Sequence, residues 1–449
     1  MRPAGPVGPG RRARIVGSEE RERAVIVGLA RSTGGVAEAE ASLEELALLA
    51  DTAGADTVER VIQVRESPEP ATYLGKGKAK EVIDLAYALD AGMVIFDDEL
   101  APAQGRNLED LAGVNPLAPF QLKIIDRTGL ILDVFSLHAH SAEGKLQVEL
   151  AQLTYQIPRL RGWGDVMSRI GGGIGTRGPT RGPGETKLEV DRRRIRKRLA
   201  KVKADLDDVE RTRETKRSRR VRTGVPQVSL VGYTNSGKST LLNALTGAGV
   251  LVEDRLFSTL DPTARRLELP DGRAAVLIDT VGFVKKLPHT LVEAFRSTLE
   301  ETAGSDLLLH VVDAAQADPV AQIDAVRRVL TEIGADEVPT ILALNKCDLV
   351  APPVAQALAA RFPGAVSISA RTGEGLPELL EVLSERVAAT RRVVELVVPF
   401  DRGDVRSQIH EQAEVLEETF GDGGYRLQVK SSQPVLDRFA EFRAEPGDS

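Results

Sequence analysis

Apolar and polar positions along this chain fall into blocks whose period changes three times. Residues 24–29, 58–64, 93–96 and 122–125 are short apolar runs that read as buried strands. Between them, residues 42–52, 78–89 and 103–111 have the composition and spacing of amphipathic helices. That alternation predicts a small α/β domain with a parallel sheet over residues 21–141. Downstream, Leu146, Leu150, Leu153, Ile157 and Leu160 recur at alternating steps of four and three. Leu188, Ile195, Leu199, Val202, Leu206 and Val209 do the same, apart from one seven-residue step. Both runs have a coiled-coil seam, and the glycines between them forbid a continuous helix. Residues 142–224 are therefore expected to form an antiparallel helical hairpin with a glycine-rich basic loop at 161–184. Pro158 should end or kink the first arm near Ile157.

The third block, 225–392, returns to short apolar runs at 228–231, 275–278, 340–344 and 365–368, which predict a mostly parallel sheet. A small α+β domain is expected at 393–449, starting at 395–399, with a helix at 404–416, a strand at 425–429 and a helix at 435–441. At about fifty residues it is marginal alone and should dock on its neighbour. The Pro- and Gly-rich residues 1–20 are expected to be disordered.

The third block carries the chemistry. Gly232-Tyr233-Thr234-Asn235-Ser236-Gly237-Lys238-Ser239 is a complete phosphate-binding loop between an apolar run and a helical stretch. Its glycines let backbone N–H groups face phosphate oxygens, and the helix N-terminus adds its positive end. Lys238 is expected on the β- and γ-phosphates and acts as a catalytic group; Ser239 is expected on Mg²⁺. Asp279-Thr280-Val281-Gly282 reads as the γ-phosphate sensor, with Asp279 holding the metal through water and the Gly282 N–H, the second catalytic group, on the γ-phosphate. Phe257-Ser258-Thr259-Leu260-Asp261, followed by Pro262 and Thr263, is the candidate first switch. Thr259 is the expected second metal hydroxyl and Thr263 its competitor; the alternative is that both cap local turns. Such loops order on the γ-phosphate and relax after hydrolysis.

Asn345-Lys346-Cys347-Asp348 closes an apolar run at the carboxyl end of a strand, where open α/β sheets bind ligands. A carboxylate at Asp348 can accept two hydrogen bonds from guanine, and adenine would leave it buried and unpaired. Lys346 can lie over the base, and Asn345 can tie the tetrad to the phosphate loop. Ser369-Ala370-Arg371 completes the set, with the Ala370 N–H aimed at the guanine O6. Phe283 stands where many GTPases place a water-orienting glutamine. Slow intrinsic turnover is expected, with help from a partner surface, a bound cation or another residue. Asn235 either offers an oxygen to a monovalent cation or merely tolerates turn geometry.

Charge changes the picture more than composition does. The chain has 449 residues, 42% of them hydrophobic, which suits about three domains with real cores. It has no apolar run of membrane-spanning length and no apolar signal core at its start, and its single cysteine, Cys347, suits a reducing cytoplasm. Net charge is −7, yet residues 158–222 hold 21 Lys and Arg against 9 Asp and Glu. One-sided clustering of this kind is an electrostatic footprint for nucleic acid, with a solvated helix face as the alternative. The sole tryptophan, Trp163, lies between glycines in the hairpin loop with Arg177 and Arg181. That combination suits phosphate contact and stacking on unpaired RNA bases, or else a plain interhelical linker. Gly75-Lys76-Gly77-Lys78 is either a second phosphate loop or an ordinary turn. His138 and His140 can share a strand face, but no third ligand stands near them.

Gly232-Tyr-Thr-Asn-Ser-Gly-Lys-Ser239, Phe257-Ser-Thr-Leu-Asp-Pro-Thr263, Asp279-Thr-Val-Gly-Phe283 and Gly182-Pro-Gly-Glu-Thr-Lys-Leu-Glu189 together resemble the HflX-type GTPases of the Obg-like group. The resemblance spans nearly the whole chain after residue 20, and Phe283 is part of the family pattern. It implies GTP hydrolysis with Mg²⁺ on Ser239 and Thr259, potassium stimulation through Asn235, and binding to the large ribosomal subunit with the hairpin tip near the peptidyl-transferase region. Members split ribosomes under stress and rescue stalled ones, and the N-terminal domain of some handles ATP. A cytoplasmic monomer cycling between GTP and GDP is expected. The competing roles are ribosome assembly, and a nucleotide-gated adaptor that binds a protein through its coiled coil.

Overall fold

The structure is a computed structural model. It describes residues 21–113, 115, 118, 120–159, 193–209, 211, 225–247, 256–257, 262–286, 288–295, 302–389, 391–421 and 423–444. The hairpin loop with Trp163, Arg177 and Arg181, the switch residues Ser258, Thr259, Leu260 and Asp261, and the first twenty residues lie outside that set. The fold is α/β. Its chain divides into two compact units: Met1–Ala139, Lys145–Lys203 and Lys285–Leu291 make one, and His140–Gly144, Ala204–Val284 and Val292–Ser449 make the other.

In the first unit, β1 (Glu22–Ala30), β2 (Ala55–Val64), β3 (Met93–Phe96) and β4 (Lys123–Asp126) form one sheet in the order β2-β1-β3-β4. Every pair is parallel. Val25, Val27, Val94 and Phe96 bury one face against Ala79, Val82 and Ile83 of the helix Lys76–Ala88. The Gly75 N–H that opens this helix donates to Gln63 Oε1 at 2.9 Å. Tyr73 just before it has φ 64° and packs edge-on to Phe96 at 5.6 Å. Burial first, and then Asp98, push the Tyr73 phenol up.

Two expectations fail here. His138 is not on a strand: it is the last residue of the helix Arg127–His138, with Nδ1 2.9 Å from the Val134 carbonyl oxygen. Asp126 caps that helix, accepting from the Gly129 N–H at 2.8 Å, a start signal the apolar run at 130–135 concealed. The helix Ala142–Arg159 holds Pro158 next to its last described residue, Arg159. Its most buried side chains are Gln147, Val148, Ala151 and Tyr155; the expected seam at Leu146, Leu150, Leu153 and Ile157 is only half-buried. Tyr155 explains the rotation, because its hydroxyl donates to the buried Asp126 carboxylate at 2.7 Å. On residues 193–209, also helical, Ile195, Leu199, Val202, Leu206 and Val209 do turn from solvent. Arg198 meets Glu149 at 2.5 Å, so the two helices lie side by side there.

Arg127 is 1% exposed. It pairs with Asp97 at 2.8 Å and Glu45 at 2.9 Å, and donates to the carbonyls of Ser42 and Lys285 at 3.0 Å each. Lys286 pairs with Asp97 and Asp98. Against the cost of burial, Arg127 and Lys286 hold the Asp97 carboxyl below the usual carboxylate range.

In the second unit the main sheet runs β10-β9-β8-β5-β7-β6, formed by β5 (Gln227–Gly232), β6 (Thr263–Glu268), β7 (Ala274–Asp279), β8 (Leu307–Asp313), β9 (Thr340–Asn345) and β10 (Val366–Ser367). Only the β6–β7 pair is antiparallel. Val228, Leu230, Leu277, Leu309 and Ala343 form its buried face with Leu241, Leu242 and Leu383. The chain ends in a three-stranded antiparallel sheet, β11 (Arg391–Val398), β13 (Gly424–Ser432) and β12 (Glu414–Gly421) in that order. The helix expected at 404–416 stops at Gln412, and β12 begins at Glu414. Four glutamates in and around that edge strand gave it a helix-like composition, while its residues are mostly exposed. No described helix is long and apolar enough to cross a membrane.

Candidate functional site

The site is assembled at the carboxyl ends of β5, β7, β8 and β9. β5 closes on Gly232, where a Cβ would collide with the Val311 carbonyl of the neighbouring strand. Gly237, at φ +91°, opens the helix Lys238–Thr246, and a Cβ there would strike the Asn345 amide. Both positions exclude any side chain, which is why the loop can wrap so tightly. Asn235 between them has φ 58°, a left-handed conformation that asparagine tolerates.

Within this loop Lys238 is buried, and its Nζ donates to the carbonyls of Gly232 at 3.2 Å and Tyr233 at 2.7 Å. Burial lowers its pKa to about 8, with Asp279 pulling the other way. Ser239 Oγ donates to Asp279 Oδ2 at 2.7 Å, so a hydroxyl and a buried carboxylate already face each other where a divalent cation would sit. Thr234 Oγ1 and Ser236 Oγ are buried with no hydrogen-bond partner among the described residues. Unmet polar atoms, a buried cation and a glycine cradle fit a bound polyphosphate with its metal.

The sensor strand is stitched to the loop through backbone. Thr234 N–H donates to the Phe283 carbonyl at 2.7 Å, and Phe283 N–H to the Gly232 carbonyl at 3.1 Å. Gly282 lies so close that a Cβ would press on Thr234 and on Lys238 Nζ. The Phe283 ring is buried, so this position serves as a packed anchor. Thr280 Oγ1 donates to the Leu230 carbonyl at 2.6 Å. Val281 is buried beside it, as is Phe257, which has φ 59°.

Asn345 joins three segments. Its Nδ2 donates to the Ser236 carbonyl at 2.8 Å, and its Oδ1 accepts from the Ala370 N–H at 2.9 Å. The N–H expected on a base oxygen is therefore engaged by Asn345. Asp348 accepts from Ser369 Oγ at 2.7 Å and from Arg371 at 2.5 Å, and these two, Ser369 foremost, hold its carboxyl below the usual range. Lys346 has φ 63° and pairs with Asp313 at 2.8 Å. Cys347 is half-buried, its thiol pushed up by burial, and its Sγ lies 3.1 Å from the Leu344 carbonyl. Asp313 is the member sequence reading overlooked. It ends the apolar β8 and sits in register with Asn345. A lone carboxylate closing such a run was the available signal.

Three family models match in sequence order: a GTP-binding GTPase N-terminal region at residues 40–136, a GTP-binding GTPase middle region at 138–220, and a 50S ribosome-binding GTPase domain at 227–346. The chain is 45% identical to the GTPase HflX of Caldanaerobacter subterraneus, over 95% of this chain and 94% of that one. It belongs to the HflX GTPase family. The Lacrimispora saccharolytica relative is 46% identical over 90% and 92% of the two chains, and the Escherichia coli HflX 44% over 90% and 92%. This HflX-family chain is thus a GTP-hydrolysing enzyme that binds guanine nucleotide with a divalent metal.

Proposed function

We propose that this HflX-family GTPase, in its GTP form, binds the large ribosomal subunit through the basic hairpin and separates the subunits of stalled ribosomes under stress. Hydrolysis then lowers its affinity and releases it. The observation that carries this reading is the outer surface of residues 193–209, where Arg193, Arg194, Arg196, Lys197, Arg198, Lys201 and Lys203 are all exposed along one half-buried apolar seam. A cationic rod of this kind matches a phosphate backbone. It is supported by the match to a 50S ribosome-binding GTPase domain.

At the nucleotide, Lys238 takes the β- and γ-phosphates, Ser239 and Thr259 hold Mg²⁺, and Asp279 reaches it through water. The Gly282 N–H meets the γ-phosphate. Asp348 selects guanine, with Lys346 over the base. Asn235 holds K⁺ beside the phosphates. The factor acts as a cytoplasmic monomer.

Sedimentation of intact ribosomes with the protein and GTP tests the proposal: free subunits should appear and should not appear with GDP. An assembly factor would generate none. Deleting residues 163–183 should leave basal GTP turnover intact and remove its stimulation by large subunits. Ribosome binding that is insensitive to salt would point to a protein contact and overturn the RNA reading.

A further inference from the structure

The parallel strands carry the nucleotide motifs at one end and a second feature at the other. β9 reaches the guanine tetrad at Asn345, while its first residue, Thr340, lines a cleft of about 560 Å³. At a rise of about 3.3 Å per residue, the two ends of β9 are separated by ~17 Å. Three arginines converge on this cleft, Arg327 from the helix Pro319–Glu332, Arg361 from Pro352–Arg361 and Arg386 from Leu376–Ala389. None of the three guanidinium groups has a hydrogen bond or ion pair among the described residues. Arg273 and Arg406 of the same unit are, by contrast, each held by a carboxylate. Asp336 is the one carboxylate among the described lining residues.

His310 supplies an independent observation. It sits on β8 at 2% exposure, lines the same cleft, and has no side-chain hydrogen bond among the described residues. Burial first, then Arg327 and Lys238, keep its ring neutral. A buried, neutral imidazole facing a polar cleft has one N–H to donate and one nitrogen to accept. Arg361 and Arg386, in the last turns of their helices, are also drawn there by the helix dipole, unlike the mid-helix Arg327. That attraction explains their charge and leaves their N–H forks unengaged, and a fork is what matches a phosphate group.

We propose that this cleft is a second anion site of the GTPase domain, distinct from the phosphate loop, which binds a phosphate-bearing ligand between Arg327, Arg361 and Arg386 with His310 at its floor. The volume falls in the range of small-ligand pockets, roughly 300–1,000 Å³, and exceeds what one phosphate needs. The phosphate comes either from a small phosphorylated molecule or from a strand of RNA. The inference is independent of the ribosomal role proposed above.

The test is calorimetric titration of inorganic pyrophosphate into the full chain held in saturating GDP. One equivalent should bind. The triple Arg327→Gln, Arg361→Gln, Arg386→Gln variant should bind at least tenfold more weakly, with GDP affinity unchanged; all three side chains are exposed, so the fold is not at risk. A triple Arg→Lys variant should fall between, since it keeps the charge and loses the fork. A ten-nucleotide single-stranded RNA that displaces the pyrophosphate identifies a phosphodiester backbone as the source, and failure to displace it identifies a small ligand. No binding in saturating GDP overturns the proposal, as does equal binding to the wild type and the Gln variant, or equal binding to the wild type and the Lys variant.

Discussion

With Lys238 on the phosphates, as proposed, the affinity for GTP becomes a function of pH. The Lys238 ammonium is buried, donates to two carbonyls of its own loop, and has a pKa lowered to about 8 by desolvation. In the unfolded chain the same group titrates near 10.4. Phosphate oxygens would restore the charged form, so nucleotide binding takes up a proton whenever the free protein has lost it. Below pH 8 the lysine is already charged and affinity is flat. Above pH 8 affinity falls toward one decade per pH unit, about tenfold between pH 7 and pH 9. The sign for folding is opposite to that of a salt-bridged lysine. Between pH 8 and about 10.4 the unfolded state binds more protons, so the nucleotide-free protein gains stability as pH rises, and at pH 7 it bears a cost of about 3 kcal/mol. Lys238→Met should remove that cost, less about 1 kcal/mol for each lost hydrogen bond. The variant should thus unfold in urea at a midpoint equal to or above wild type, while binding GTP very poorly and losing turnover. Calorimetry in buffers of different ionisation enthalpy measures the proton uptake directly, about half a proton at pH 8. No uptake at pH 8, or a Lys238→Met variant destabilised by more than about 1 kcal/mol, refutes the reasoning.

Asp348→Asn replaces an acceptor pair with one acceptor and one donor, and GTP affinity measured by fluorescent-nucleotide competition should fall by at least about 100-fold; wild-type affinity in that variant contradicts the assignment of the base. Gly237→Ala places a methyl against the Asn345 amide at a positive φ, and GDP binding should be lost while circular dichroism stays native. Arg127→Met leaves Asp97 and Glu45 without their buried partner, and urea denaturation should show a loss of about 3–5 kcal/mol, with less than about 1 kcal/mol arguing that the cluster is hydrated.

How far sequence reached depends on what kind of signal each residue carries. The central strands of the first sheet, β1 and β3, were legible because a parallel sheet buries both faces of such strands, which are then plain apolar runs. β12 was not, because an edge strand with one face in water needs no such run, and Glu414, Glu417 and Glu418 read as helix formers. The seam at 195–209 follows its heptads, whereas the helix Ala142–Arg159 turns a different face inward. A buried polar contact, Tyr155 to Asp126, outweighs its leucine periodicity there, and no pattern of apolar positions encodes that contact. In the nucleotide site the loop glycines, Lys238 and the Asn-Lys-Cys-Asp tetrad stand in the sequence because their chemistry demands fixed residue types. The Phe283 backbone pairing does not, since two main-chain hydrogen bonds leave no composition to read, and Asp313 shows only as a lone carboxylate closing an apolar run.

The polar groups of the site occupy one another at short range, and this decides what a nucleotide gains on arrival. Ser239 holds Asp279, Lys238 holds its own loop carbonyls, Ser369 and Arg371 hold Asp348, and Asn345 holds Ala370. Each contact a ligand makes with these groups exchanges one hydrogen bond for another, at a net gain of about 1 kcal/mol. Thr234 Oγ1 and Ser236 Oγ are different, because they are buried and have no partner to give up among the described residues. Bonding such a group recovers its full desolvation cost, about 1–3 kcal/mol. On the proposed binding mode, the unequal returns put the main gain in affinity at the phosphate loop and leave discrimination to the pre-formed Ser369–Asp348–Arg371 cluster, since a base that cannot replace those bonds must break them for nothing.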